Sequence, residues 1–139
     1  MRVLVDTSAW VDFLNGHPSK ESAALASLIA SDEEICTCGV IVSEVFQGLR
    51  HDKGRKDLER MFRKLVFLEA STVEPYLRAA DIYRNLRRLG HTVRSTIDCL
   101  IAVIAEEGGC HVLARDRDLT TILRSGLLKA RLLVLPEAT

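Results

Sequence analysis

Proline is scarce, with three in 139 residues, and no stretch is low in complexity, repeated or linker-like. The chain therefore reads as a single domain over residues 1–139. No apolar run approaches the length of a bilayer-crossing helix, so no membrane partner is expected. The opening residues reach a carboxylate at Asp6, too early for the apolar region of a secretory signal, and the expected compartment is the cytoplasm. Cysteine is limited to Cys36, Cys38, Cys99 and Cys110. The C-x-C pair has no second pair or nearby histidine to complete a zinc site, so these thiols read as small buried apolar residues. A phosphate loop of the G-x-x-x-x-G-K-S/T type is also absent, which argues against nucleoside triphosphate hydrolysis. No serine or cysteine stands in a nucleophile motif, and the four histidines form no pair. Water is left as the attacking group.

Net charge is lacking too, because 19 basic residues balance 19 acidic ones. The balance hides a polarised distribution. Residues 50–64 hold seven Lys/Arg against three acids, and residues 84–94 hold four Arg and no acid. Each segment carries +4, which leaves the remainder at −8. Two solvated helix faces would explain this, and so would a surface built to meet a polyanion. Hydrophobic residues at 47% and charged residues at 27% give a globular balance that argues against disorder.

Strand and helix patterns alternate along the chain. Val3–Val5 reads as a buried strand ending at Asp6, followed by a short helix from Thr7 to Leu14 that Asn15-Gly16 closes. A helix from Ser19 to Ala30, a strand from Ile35 to Cys38 and a helix from Val40 to Leu49 follow. After Gly54 come a charged helix ending near Lys64, a strand candidate at Leu65–Leu68 and a helix from Val73 to Leu89. Ser95 opens an apolar helix to Glu107, and His111–Ala114 is a strand running into a last short helix. Leu132–Leu135 reads as a final strand before a frayed tail. This order implies an α/β/α sandwich on a mainly parallel sheet, with ligands bound beyond the carboxyl ends of the strands.

Asp6 and Asp116 both stand where an apolar strand gives way to a helix, so both point at that crevice. Glu44 lies on a helix whose neighbouring positions are apolar, and Asp98 opens an almost wholly apolar helix. Each has an innocent role as well. Asp6 and Asp116 can be helix N-caps, Ser95-x-x-Asp98 resembles a capping box, and Glu44 can be an ordinary helical glutamate. Together, four carboxylates beside apolar surface carry a large desolvation cost unless a cation compensates. Oxygen donors suit Mg²⁺ or Mn²⁺ better than zinc. Asp118 reads as a fifth ligand, an outer partner or a first-turn acid, and ranks below Asp116. Carboxylate-held metal ions support in-line displacement at phosphate.

The residues also resemble a known family. Asp6-Thr7-Ser8-Ala9-Trp10-Val11-Asp12-Phe13-Leu14 is similar to the opening of the PIN-domain ribonucleases, most of all the VapC toxins of prokaryotic toxin–antitoxin pairs. Ser43-Glu44-Val45-Phe46-Gln47-Gly48-Leu49, Ile97-Asp98-Cys99-Leu100-Ile101-Ala102 and Ala114-Arg115-Asp116-Arg117-Asp118-Leu119 resemble the second, third and fourth motifs. The resemblance covers essentially the whole chain. It implies a PIN-like fold, Mg²⁺- or Mn²⁺-dependent endoribonuclease activity on RNA, a homodimer, and neutralisation by a small VapB-type antitoxin. It also implies Asp6, Glu44, Asp98 and Asp116 as the acidic cluster, with Asp6 and Asp98 the foremost metal ligands. Thr7 or Ser8 would supply a hydroxyl near the metal or scissile phosphate. Leu119 stands where the family often has an aromatic. Arg115 replaces a histidine or other polar residue and adds positive charge beside the site.

Two alternatives stand beside this reading. A haloacid-dehalogenase-type phosphatase is suggested by Asp116-Arg117-Asp118-Leu119-Thr120, but only 19 residues follow Thr120. A catalytically inactive PIN-like module that binds RNA or protein through the basic segments is the other. If the crevice takes RNA, Arg50, Arg55, Lys56 and some of Arg84, Arg87, Arg88 and Arg94 are expected to line its approach. Among them Arg50, about a turn and a half past Glu44, is the leading candidate to touch substrate.

Overall fold

The computed structural model describes residues 1–136. The last three residues of the expected domain and its frayed tail lie outside the described residues. The elements are β1 (Arg2–Val5), α1 (Thr7–Leu14), α2 (Lys20–Ile29), β2 (Glu34–Cys38), α3 (Gly39–Gln47) and α4 (Arg55–Lys64). They continue with β3 (Val66–Leu68), α5 (Glu74–Arg88), α6 (Thr96–Glu107), β4 (Cys110–Leu113), α7 (Arg117–Arg124) and β5 (Arg131–Leu132). All strand pairs are parallel, in the order β3-β2-β1-β4-β5.

Parallel strands joined by right-handed crossovers place their helices by direction of travel. The chain moves from β1 through β2 to β3 in one direction, then returns past β1 to β4 and β5. α1–α4 therefore cover one face, where α1 packs on α2 and α3, and α5–α7 cover the other, where α6 packs on α5 and α7. This is the expected α/β/α sandwich. Val3, Leu4 and Val5 are fully buried because β1 is central and covered on both faces. On the α1 side, Trp10 stacks on Phe62 at 4.6 Å, and Phe46 meets Phe62 edge-on at 5.2 Å. On the other side α6 is buried continuously from Cys99 to Ala105. The four cysteines are free and buried. Burial pushes the Cys110 thiol up to about 12, which keeps it protonated and unreactive.

Several elements are displaced by one residue from the sequence expectation, as β4 is at Cys110–Leu113 instead of His111–Ala114, and two ends differ by more. β5 is Arg131–Leu132, paired with His111 and Val112 of β4, rather than Leu132–Leu135. Hydrophobicity marked the run, but register is set by the two ladder positions that β4 offers. α3 ends at Gln47 with Gly48 as its cap, so Arg50 lies beyond the helix rather than at its last turn.

The order reverses between β1 and β4, and a crevice opens there at the carboxyl ends of both strands. The Asp6 amide donates to the Leu113 carbonyl at 2.9 Å, tying the two strand ends together. No described helix is long and apolar enough to cross a membrane.

Candidate active site

Four acidic side chains converge on that crevice from three elements. Asp6 follows β1 and caps α1: its Oδ2 accepts from the Ser8 amide at 3.1 Å and from Ser8 Oγ at 2.6 Å. Asp116 follows β4 and caps α7, with Oδ1 accepting from the Leu119 amide at 2.8 Å. Both residues thus perform the N-cap role the sequence allowed. Ser8 Oγ also accepts from the Arg115 amide at 2.9 Å, so one hydroxyl links the β1–α1 and β4–α7 junctions.

Asp98, in the first turn of α6, behaves differently. Ser95 caps this helix by accepting from the Ile97 amide at 3.0 Å, and Asp98 does not reciprocate, so the capping box is not built. Among the described residues nothing donates a hydrogen bond to the Asp98 carboxylate. Its ionisation is pushed up to about 7 by burial first and then by the charges of Asp116, Asp6 and Asp118, with Arg94 opposing them. Burial likewise raises Asp6, against the Ser8 hydrogen bonds.

Oxygens of Asp98, Asp116 and Asp118 lie within 4.8 Å of one another. Asp98, Asp116 and Asp118 are therefore the side chains that would together hold a divalent ion there. The set is all oxygen and negatively charged, and it includes a carboxylate without a hydrogen-bond donor. That chemistry fits a hard divalent cation. Asp118, ranked below Asp116 from the sequence, belongs to this trio; Asp6 flanks it and acts on Asp98 through its charge.

Arg94 is the cation the structure brings to these acids. Its Nε donates to Asp118 Oδ2 at 2.7 Å and its amide to the same oxygen at 3.1 Å, while Nη2 reaches Asp116 Oδ2 at 3.3 Å. The hydrogen bond and charge of Arg94 hold Asp118 below the usual carboxylate range. The sequence offers Arg94 as one of four arginines of which some are expected on the approach to the crevice. Its pairing across 22 and 24 residues has no local signal.

Glu44 is half-buried on α3 and accepts from Thr7 Oγ1 at 3.1 Å, which connects it to the residue next to Asp6. The Arg115 side chain turns to Asp12, at 3.1 Å. Arg50 lines a separate groove of about 440 Å³ with Val11, Leu14 and Leu49.

Known proteins resemble this chain in sequence and in fold. The family model described as "PIN domain" matches residues 3–123. A VapC ribonuclease of Mycobacterium bovis and ribonuclease VapC11 of Mycobacterium tuberculosis are each 36% identical over 129 residues, covering 92% of this chain and 96% of theirs. Solved structures share the fold at low identity. VapBC2 from Rickettsia felis bound to a DNA fragment from their promoter superposes with TM-score 0.70 at 17% identity, over 98% of this chain and 100% of that one. VapBC-1 from nontypeable Haemophilus influenzae gives 0.68 at 12% identity, over 96% and 97%. With its motifs, its sheet order and these relatives in agreement, the chain belongs to the PIN-domain family.

Proposed function

We infer that this protein is a Mg²⁺- or Mn²⁺-dependent endoribonuclease, the toxin of a type II toxin–antitoxin pair, acting in the cytoplasm as a single-domain protomer of a homodimer. The observation that carries the catalytic reading is Asp98: a half-buried carboxylate without a hydrogen-bond donor, facing three other acids. Asp6, Asp116 and Asp118 are engaged by Ser8, Leu119 and Arg94, whereas the Asp98 carboxylate is spent on neither a cap nor an ion pair among the described residues. The relatives named as VapC ribonucleases support RNA as the substrate, and the VapBC assemblies among the fold neighbours support a small VapB-type antitoxin as partner.

In this reading Asp6, Asp98, Asp116 and Asp118 hold the metal, and Glu44 completes the acidic cluster. A bound divalent ion supplies Lewis-acid polarisation of a phosphate oxygen and lowers the pKa of water. The chain's own residues do the rest. Ser8 fixes Asp6 and the β4–α7 junction in one geometry, and Thr7 orients Glu44 toward the crevice. Arg94 offsets the repulsion that four acids present to a polyanion. Arg115 is assigned to a phosphate beside the scissile bond, by exchanging its Asp12 partner for substrate, and Arg50, in its own groove, to a phosphate farther along the strand.

The test is cleavage of RNA by purified protein with Mg²⁺ and with EDTA, beside an Asp6→Asn variant. Cleavage that needs metal and disappears in the variant supports the reading. An inactive wild-type protein that still binds RNA or protein points to the binding-module alternative.

A further inference from the structure

Beyond Asp116 the crevice opens into a groove of about 1000 Å³ bounded by α7, the chain around β5 and the start of α2. Its α7 wall is Arg117, Thr120, Thr121 and Arg124, the i, i+3, i+4 and i+7 positions of one helical face. The other face, with Leu119 and Ile122, is buried in the core, and Leu123 with Val112 and Leu113 of β4 and residues 132–135 gives the groove an apolar part beside these polar groups. Lys20 from α2 and Arg131 from β5 line the same groove. Lys20, Arg117, Arg124 and Arg131 are exposed and make no ion pair among the described residues. In the basic segment 50–64, by comparison, Arg55 and Arg63 pair with Glu59 and Arg60 pairs with Asp57, while Arg50, Lys53, Lys56 and Lys64 make no ion pair among the described residues. Glu21 and Asp116 are the acids in the lining, so the groove carries excess positive charge.

We propose that this groove is an RNA track, taking the sugar–phosphate backbone of a single strand on one side of the bond cut at the acidic cluster. The proposal rests on the nuclease reading above and assigns a binding surface to it. Arg124 lies seven residue steps after Arg117, about 10 Å along the helix axis, which spans about three nucleotides at 3.4 Å per residue of a stacked strand. Guanidinium forks match phosphate oxygens. The Thr120 and Thr121 hydroxyls already donate to the carbonyls of Asp116 and Arg117, at 2.8 and 3.0 Å. Their oxygens remain acceptors, suited to the 2′-hydroxyl that distinguishes RNA from DNA.

The experiment measures anisotropy of a labelled single-stranded RNA of about ten nucleotides, and of the same sequence in DNA, bound to Asp98→Asn protein, which leaves the probe uncut. Lys20→Ala, Arg124→Ala and Arg131→Ala are combined on that background, with Arg117 kept because it adjoins Asp116. The triple change is expected to weaken RNA binding tenfold or more at about 0.1 M salt. It should also reduce the log–log salt slope by about 2, at ~0.7 for each phosphate no longer neutralised. Arg124→Lys with Arg131→Lys should retain the slope, since counterion release counts charge. RNA should bind more tightly than DNA. An unchanged affinity and slope in a folded triple variant would overturn the track. Unchanged RNA binding with a weakened grip on the antitoxin would overturn it as well, by giving the groove to a protein. A wild-type protein that fails to cut RNA would instead count against the nuclease reading, which this binding measurement does not use.

Discussion

Asp98 is where burial and function oppose each other most directly. Its ordinary value is 3.8, and in the fold it is raised to about 7. A raised carboxylate destabilises the folded state once it ionises. As pH climbs from about 4 to 7, the unfolded chain releases this proton and the folded chain keeps it, so stability falls across that window and levels off above it. Without divalent metal the protein should therefore melt at a lower temperature at pH 8 than at pH 5. At pH 8, Asp98→Asn should be more stable than the wild type by ~1–3 kcal/mol, since each pKa unit corresponds to about 1.4 kcal/mol. Melting curves in EDTA would show this. Equal stability of the two proteins at pH 8 would mean that Asp98 is not under electrostatic strain.

At the scale of elements, Asp6 and Asp116 each cap a helix and are each proposed to hold the metal, and the substitutions that separate those two roles are predictable. Asparagine caps a helix about as well as aspartate, whereas alanine does not. Asp116→Asn should keep α7 in place while removing a metal ligand. Asp116→Ala should lose the same ligand and a further ~1 kcal/mol of stability, through the orphaned Leu119 amide. Denaturant unfolding checks the pair, and identical stabilities would refute the cap.

The same two residues show how much of the site is legible in the sequence. Strand-end aspartates opening helices are visible at 6 and 116 because the pattern is local. Ser19 and Ala30, expected as ends of α2, are its caps. The stripe of Arg117, Thr120, Thr121 and Arg124 is equally regular in its spacing, but the two larger basic segments mask it. Pairing of Arg94 with Asp118, by contrast, depends on α6 meeting α7 in the folded core. No spacing rule encodes that pairing.

For the molecule as a whole, the acidic crevice at the centre of an otherwise close-packed sandwich is the part that metal binding would stabilise. A ligand that binds only the folded state adds about 2.7 kcal/mol at a hundred times its Kd. Mn²⁺ should therefore raise the melting temperature, and more at pH 8 than at pH 6, where Asp98 is mostly protonated. Thermal melts across a Mn²⁺ titration would show the shift, and its absence at millimolar metal would contradict a metal site. The expected homodimer is checked by sedimentation at micromolar concentration, where a monomer mass would exclude it.

The most direct measurement for the whole account is RNA cleavage by Asp98→Asn beside the wild type, under Mg²⁺, with both shown to be folded by their near-ultraviolet spectra. The account predicts rapid cleavage by the wild type, none in EDTA, and a loss of at least about a thousandfold in the variant, in line with ~4 kcal/mol of lost transition-state stabilisation. Undiminished cleavage by folded Asp98→Asn protein would contradict it.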